Sequence, residues 1–187
     1  MQRAGLDVLR MLKISAVIPT RGDVDRTEIV AHLRTYPEID EIEVIAGDTP
    51  YNRYVAAARA KNDLIFTQDD DCITDIRPLI NAYQPGIITN AMTPQHAAQY
   101  PGKQTLIGFG AIFDRSLINV LDGWERDALF FRESDRIFAT LNPHKTVFPA
   151  IRLLPHATAA NRLYRQPDHV AARFAMEKRI FERGLPV

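Results

Sequence analysis

Residues 64–73 read Leu-Ile-Phe-Thr-Gln-Asp-Asp-Asp-Cys-Ile: an apolar, β-prone run that stops in three consecutive carboxylates. Three adjacent Asp side chains repel one another, and the run before them places them at the edge of a core. Such an arrangement is costly unless a cation neutralises it. Hard divalent cations prefer carboxylate oxygens, and magnesium-type ions commonly bridge one or two carboxylates to a substrate's phosphates. The triplet therefore predicts a metal and a phosphorylated ligand at the C-terminal end of a strand, where open α/β sheets bind ligands.

The residues before it predict the rest of such a sheet. Residues 14–19 form a β-prone run stopped by Pro19. Asp25 or Thr27 suits a helix start, with Ile29, Val30 and Leu33 on one face up to position 36. Residues 41–46 read as a second strand ending at Gly47-Asp48-Thr49-Pro50, and residues 52–60 as an Ala-rich helix. With residues 64–67 as a third strand, this β-α-β-α-β order predicts parallel strands joined by right-handed crossovers. Beyond it, helices are expected over 78–83, 116–121, 135–141 and 170–183, with Phe174, Ile180 and Phe181 among the apolar positions of the last. Strands are expected over 86–89, 105–113 and 146–148, and polar loops over 90–104 and 156–166.

A length of 187 residues fits one domain. It divides into residues 14–89, residues 90–150 and a C-terminal loop and helix (151–187). A domain of this size buries roughly 70% of its unfolded surface and needs no staples. Lys+Arg and Asp+Glu are both 23, so the net charge of zero argues against a dedicated nucleic-acid binder. Cys72, the single cysteine, excludes an internal disulfide and suits a reducing compartment. No apolar run approaches the roughly 20 residues that span a membrane, and residues 1–13 lack a secretory apolar core. The expected location is the cytoplasm.

Taken together, these residues resemble the GT-A glycosyltransferases, most closely the family-two nucleotide-sugar transferases. Ala16 to Arg21 are similar to the family's opening strand and Pro-Thr turn. Arg53 precedes Asp69 by sixteen residues, with Ala60 seven after that Arg, a spacing the family often shows before its Asp-x-Asp motif. Gly108-Phe109-Gly110, then Trp124, then Glu133-Ser134-Asp135 resemble the acceptor-side glycine segment and the acidic motif of the catalytic base. Asp-Asp-Asp-Cys also resembles the motif of plant UDP-arabinopyranose mutases, so a sugar-nucleotide mutase is an alternative.

The resemblance implies an α/β GT-A fold with a mainly parallel central sheet flanked by helices. It also implies a metal-dependent enzyme moving a sugar from a nucleotide-diphosphate donor, UDP-linked by expectation, to a hydroxyl acceptor. Asp69 and Asp71 would hold Mn2+ or Mg2+; as strand residues two apart they share a face and Asp70 points away, shaping the turn or touching the ribose. Pro19, Thr20 and Arg21 would line the donor crevice, and Asp48 would bond the base. Asp48-Thr49-Pro50 equally suits an Asx turn. Arg53 would meet the diphosphate or brace the triplet; otherwise it is an exposed arginine on an Ala-rich helix.

Asp135 is the candidate general base and Glu133 its alternative, because Ser134 separates the two acids. Ser134 and Asp135 also suit a helix cap. His156 would be a third metal ligand, or a surface histidine, and Arg162 and Arg165 would close over the diphosphate. Gly108 and Gly110 would shape the acceptor side. Trp124 would stack on an acceptor sugar or fill the core. Cys72 is expected as an apolar filler behind the metal. His169 is a weaker candidate, and His32, His96 and His144 have no constellation in sequence. The acceptor is left open between a glycan, a protein, a lipid carrier and modified DNA. A nucleotidyltransferase, which would need a Gly-rich basic loop after its first strand, and a non-catalytic binding module are the remaining alternatives.

Overall fold

Alternation along the first strand sets the two-faced architecture. In β1 (Ile14–Thr20), Ile14, Ala16 and Ile18 face one apolar cluster and Val17 faces the other. β3 (Leu64–Thr67) repeats the pattern, with Leu64 and Phe66 on the first face and Ile65 on the second. The computed structural model describes residues 12–99, 106–155 and 163–184.

β2 (Ile39–Ala46), β1 and β3 are parallel, with Thr20 beside Ala46 and Val17 beside Thr67. β6 (Ala111–Asp114) pairs antiparallel with β3 and with β5 (Ile88–Ala91), which is parallel to β7 (His144–Val147). The six-stranded order is β2-β1-β3-β6-β5-β7, and among the described residues β6 alone runs against the other strands of this sheet. A second sheet pairs β4 (Cys72–Thr74) with β8 (Ile151–Leu153), two short strands the sequence pattern did not predict.

Helices cover both faces. α1 (Thr27–Leu33) buries Ile29 and Leu33 on the Phe66 side, next to α3 (Arg77–Ala82) with its buried Leu79 and Ile80. Arg26, not Asp25 or Thr27, is the N-cap of α1; Asp25, one residue earlier, accepts from the Thr27 amide at 2.8 Å. The helix stops short of the expected position 36; Tyr36 instead turns its hydroxyl to Asp75 at 2.9 Å. On the other face lie α2 (Asn52–Arg59), a 3-10 helix (Arg115–Leu121), α5 (Ala128–Leu141) and α6 (His169–Glu182). In α6, Met176 and Ile180 are buried while Phe174 and Phe181 are exposed.

Three further expectations are corrected. The loop over 90–104 contains a helix, α4 (Pro94–Gln99). The strand over 105–113 begins only at Ala111, because residues 106–110 turn through Gly110, whose φ of +130° suits glycine. The helix expected from position 135 begins at Ala128, and its cap is Asp127, which accepts from the Phe130 amide at 2.8 Å. Two helices meet at a kink at Glu133 (φ −110°, ψ 20°), so Ser134 and Asp135 open the second half, over the residues expected to be helical. Among the described residues, no helix is long and apolar enough to cross a membrane.

Candidate active site

The C-terminal ends of β1, β2 and β3 open on one cavity of about 530 Å3. Pro19, Thr20 and Arg21 reach it from β1, and Asp48 from the end of β2. Asp69, Asp70 and Asp71 enter from the turn between β3 and β4, with Gly108 beside them and Glu133 and Asp135 from α5. Because the triplet lies in a turn, strand alternation does not govern it: Asp70 also lines the cavity, at 2% exposure. Parallel strands end with their side chains at one edge, so residues far apart in sequence converge there.

Arg53 joins the two groups of acids. Ala56 and Ala57 let α2 sit close on the sheet, and Arg53, on the first turn, is 3% exposed rather than a solvated surface arginine. Its Nη2 donates to Asp69 Oδ1 at 2.5 Å, and its Nε stands 3.3 Å from Asp135 Oδ1. The neighbouring Tyr54 donates its hydroxyl to the same Asp135 oxygen at 2.7 Å. Burial pushes the Asp135 carboxyl above the usual carboxylate range; Arg53 and the Tyr54 hydroxyl pull the other way. Burial likewise raises Glu133, opposed by Arg173, Arg132 and Arg136.

Gly108 packs directly against the Asp69 carboxylate. A Cβ at that position would stand 2.3 Å from Asp69 Oδ2, and the Asp69 amide donates to the Gly108 carbonyl at 2.7 Å. Asp69 and Asp71 both line the cavity, which fits an ion that takes one or two carboxylates and completes its shell from a ligand's phosphates. Among the described residues, no group of three His, Cys, Asp or Glu side chains is placed to hold a metal by itself.

Some sequence candidates lie elsewhere. Trp124 is 6% exposed and in the core; its Nε1 donates to the Val120 carbonyl at 2.9 Å and Arg183 stacks on its ring. Gly110 packs behind the cavity, facing Phe66 and Thr74. Arg165 is exposed and lines no part of it. His156 and Arg162 lie outside the described residues. Cys72 is buried, its thiol pushed well above its ordinary range by burial.

Other lining residues escaped the sequence reading. These are Arg132 and Arg136 from α5 and Arg173 from α6; His169, the weaker sequence candidate, lines the cavity from α6, and so does His96 from α4, for which the sequence showed no constellation. The signal was present as basic residues four apart on each of the two long helices, a spacing that puts them on one face. Nothing in the sequence said that both faces meet the same cavity.

The sequence matches no protein-family model and no curated protein. Solved structures do match by shape. A protein from Bacillus anthracis described as a glucose-1-phosphate thymidylyltransferase, in complex with sucrose, aligns at a TM-score of 0.52 and 9% identity, covering 86% of this chain and 95% of that one. Glucosyl-3-phosphoglycerate synthase from Mycobacterium tuberculosis, in complex with Mg2+ and UDP, aligns at 0.48 and 15% identity, covering 98% and 84%. The fold is that of the nucleotide-diphospho-sugar transferases. At these identities the likeness is one of fold.

Proposed function

We propose that the chain is a metal-dependent glycosyltransferase that moves a sugar from a nucleoside-diphosphate sugar, UDP-linked, to a hydroxyl acceptor. The observation that carries this reading is the shared cavity: Asp69 and Asp71 open on the same space as Asp135, and Arg53 ties the two sides together.

Asp135 acts as general base. It takes the proton of the acceptor hydroxyl as that oxygen bonds to the sugar's anomeric carbon and the bond from that carbon to the diphosphate breaks. The nucleoside diphosphate leaves with the electron pair of the broken bond. With both Tyr54 and Arg53 on its Oδ1, Asp135 offers its Oδ2 to the acceptor. Asp69 and Asp71 would hold Mn2+ or Mg2+, which when bound supplies positive charge against the leaving diphosphate. Thr20, Arg21 and Asp48, which line the cavity, would meet the nucleoside, and Asp70 its ribose. His156 as a further metal ligand and Arg162 as a diphosphate contact belong to the same proposal.

The test is a thermal-shift screen of UDP-, GDP-, ADP- and TDP-sugars and of nucleoside triphosphates, with and without Mn2+. A ligand held by the folded state raises the melting temperature by mass action. A UDP-sugar is expected to stabilise the protein only with Mn2+, and Asp71→Ala to abolish that stabilisation. Asp135→Ala should keep donor binding and lower transfer by about 10²–10⁴-fold. Stabilisation by a nucleoside triphosphate instead would make the chain a nucleotidyltransferase, and binding without turnover a carrier module. If no nucleotide stabilised the protein in a metal-dependent way, the proposal would fail.

A further inference from the structure

One wall of the cavity has no role in donor binding as set out above. α5 places Arg132 and Arg136 on it, four residues apart, and α6 places His169 and Arg173, again four apart. Two helices thus contribute three guanidiniums and an imidazole to one stretch of surface. Arg132 pairs with Asp168 at 2.7 Å and stands 3.4 Å from Glu133, and Arg136 pairs with Glu177. Asp168 and Glu177 do not line the cavity; Glu133 and Asp135 are the α5 carboxylates that do, and Arg173 acts on both. A guanidinium carries five N–H donors in a fixed fork, so one carboxylate does not exhaust it.

His169 is the second, independent sign. It is 9% exposed, lines the cavity, and its Nδ1 is buried without a hydrogen-bond partner among the described residues. Burial, with Arg173 and Arg132 close by, holds its imidazole below the usual range. A buried polar atom without a partner costs free energy. An oxyanion in the cavity would satisfy it and accept from guanidinium N–H groups on the same wall.

We propose that this wall is an oxyanion subsite for the acceptor: Arg132, Arg136 and Arg173, with His169 beside them, seat a phosphate or carboxylate carried by the acceptor molecule. The inference rests on the transferase reading, because the wall adjoins Asp135, the group that would meet the acceptor hydroxyl. It narrows the acceptor to a hydroxyl compound with an anionic group near the reacting oxygen. Arginine suits that task because its planar fork binds carboxylate and phosphate oxygens in pairs.

Calorimetric titration of the full chain tests it, with glycerol, glycerate and glycerol 3-phosphate as probes in the presence of UDP and Mn2+. Saturable binding of glycerol 3-phosphate, glycerate or both is expected, and none of glycerol; the stronger anion identifies the group. Arg136→Gln and Arg173→Gln should each weaken anion binding by about tenfold or more while moving UDP affinity by less than about twofold. Arg173→Lys, which keeps the charge without the fork, should retain part of the binding and shows that the site tolerates substitution. Binding of glycerol as tight as that of the anions, or no saturable anion binding, overturns the proposal. So does an equal loss of UDP and anion affinity in the variants, which would put these arginines on the donor's diphosphate. If UDP itself does not bind, the transferase reading fails, and the same titration without UDP still decides whether the wall holds an anion.

Discussion

Arg53 donates to Asp69 at 2.5 Å from sixteen residues away, and the same guanidinium stands 3.3 Å from Asp135 on another helix. One buried cation thus sits between a carboxylate of the turn after β3 and one of α5. A charge this far from water survives only when paired, and each of these acids sits near the other's negative charge only because Arg53 lies between them.

Removing that cation should be costly. Arg53→Met keeps the length of the side chain and leaves Asp69 and Asp135 facing each other. Breaking a buried pair by deleting one partner typically costs about 3–5 kcal/mol. Asp69 and Asp135 remain part-exposed, so urea unfolding at neutral pH should show a loss at or below the lower end of that range. The deficit should shrink as pH falls, because the two carboxylates then take up protons and cease to repel. Arg53→Lys should lose less. A Met variant as stable as the parent at pH 7 would remove Arg53 from its bridging role.

The state of Asp135 sets the acid limb of the rate. A base must be ionised, and burial holds this carboxyl above its ordinary value, so kcat/KM should fall at a higher pH than an unperturbed carboxylate would give. The linkage has a definite sign. A raised folded pKa means the native state holds that proton more tightly, a stabilisation present below the unfolded pKa and lost as pH rises through the folded one. Tyr54 donates to the ionised form, so Tyr54→Phe should move the acid limb further up. The measurement is the pH profile of kcat/KM; an unmoved limb would show that Asp135 is not the group being titrated.

The first half of the fold was legible because its signals are local. Residues 14–67 alternate short apolar runs with helical segments, and the strands stand beside strands near them in sequence. The second half was not, because β6 inserts between β3 and β5 by long-range pairing, and three or four residues per strand leave little pattern to read. Asp127 hid the true start of α5: a single Asp after a polar stretch looks no different from Asp135 until the Phe130 amide is seen pointing at it. Asp69 and Asp71 stood out as charge at the end of an apolar run. The arginine wall did not, since Arg132 and Arg173 acquire common meaning only when two helices are packed side by side.

Gly108 offers a test that touches no charged group. Its substitution by Ala puts a Cβ where Asp69 Oδ2 now lies, 2.3 Å away, so the carboxylate must move. Gly108 is partly exposed at the cavity, and the fold should survive with a change of a few degrees in Tm. Mn2+-dependent stabilisation by UDP should weaken by about tenfold or more, because metal ligands tolerate displacement poorly. Asp69→Asn alone should reproduce that loss. Unchanged UDP affinity in Gly108→Ala would mean that Asp69 takes no part in holding the metal.

Asp127 anchors the helix that carries Glu133 and Asp135, and its contribution depends on charge. Its Oδ1 accepts from the Phe130 amide at 2.8 Å, and both of its oxygens accept from Arg179 of α6, at 3.1 and 2.7 Å. The Arg179 hydrogen bonds, with the cap, hold its carboxyl below the usual range. A depressed folded pKa contributes stability that is present above the unfolded pKa and lost as pH falls through the folded one. Asp127→Ala should therefore lower the urea midpoint at pH 7 and approach the parent in strong acid. Asp127→Asn keeps an acceptor for the cap but not the charge, so it should fall between the two. Equal midpoints for Ala and Asn at pH 7 would assign the whole effect to the ion pair that ties α5 to α6.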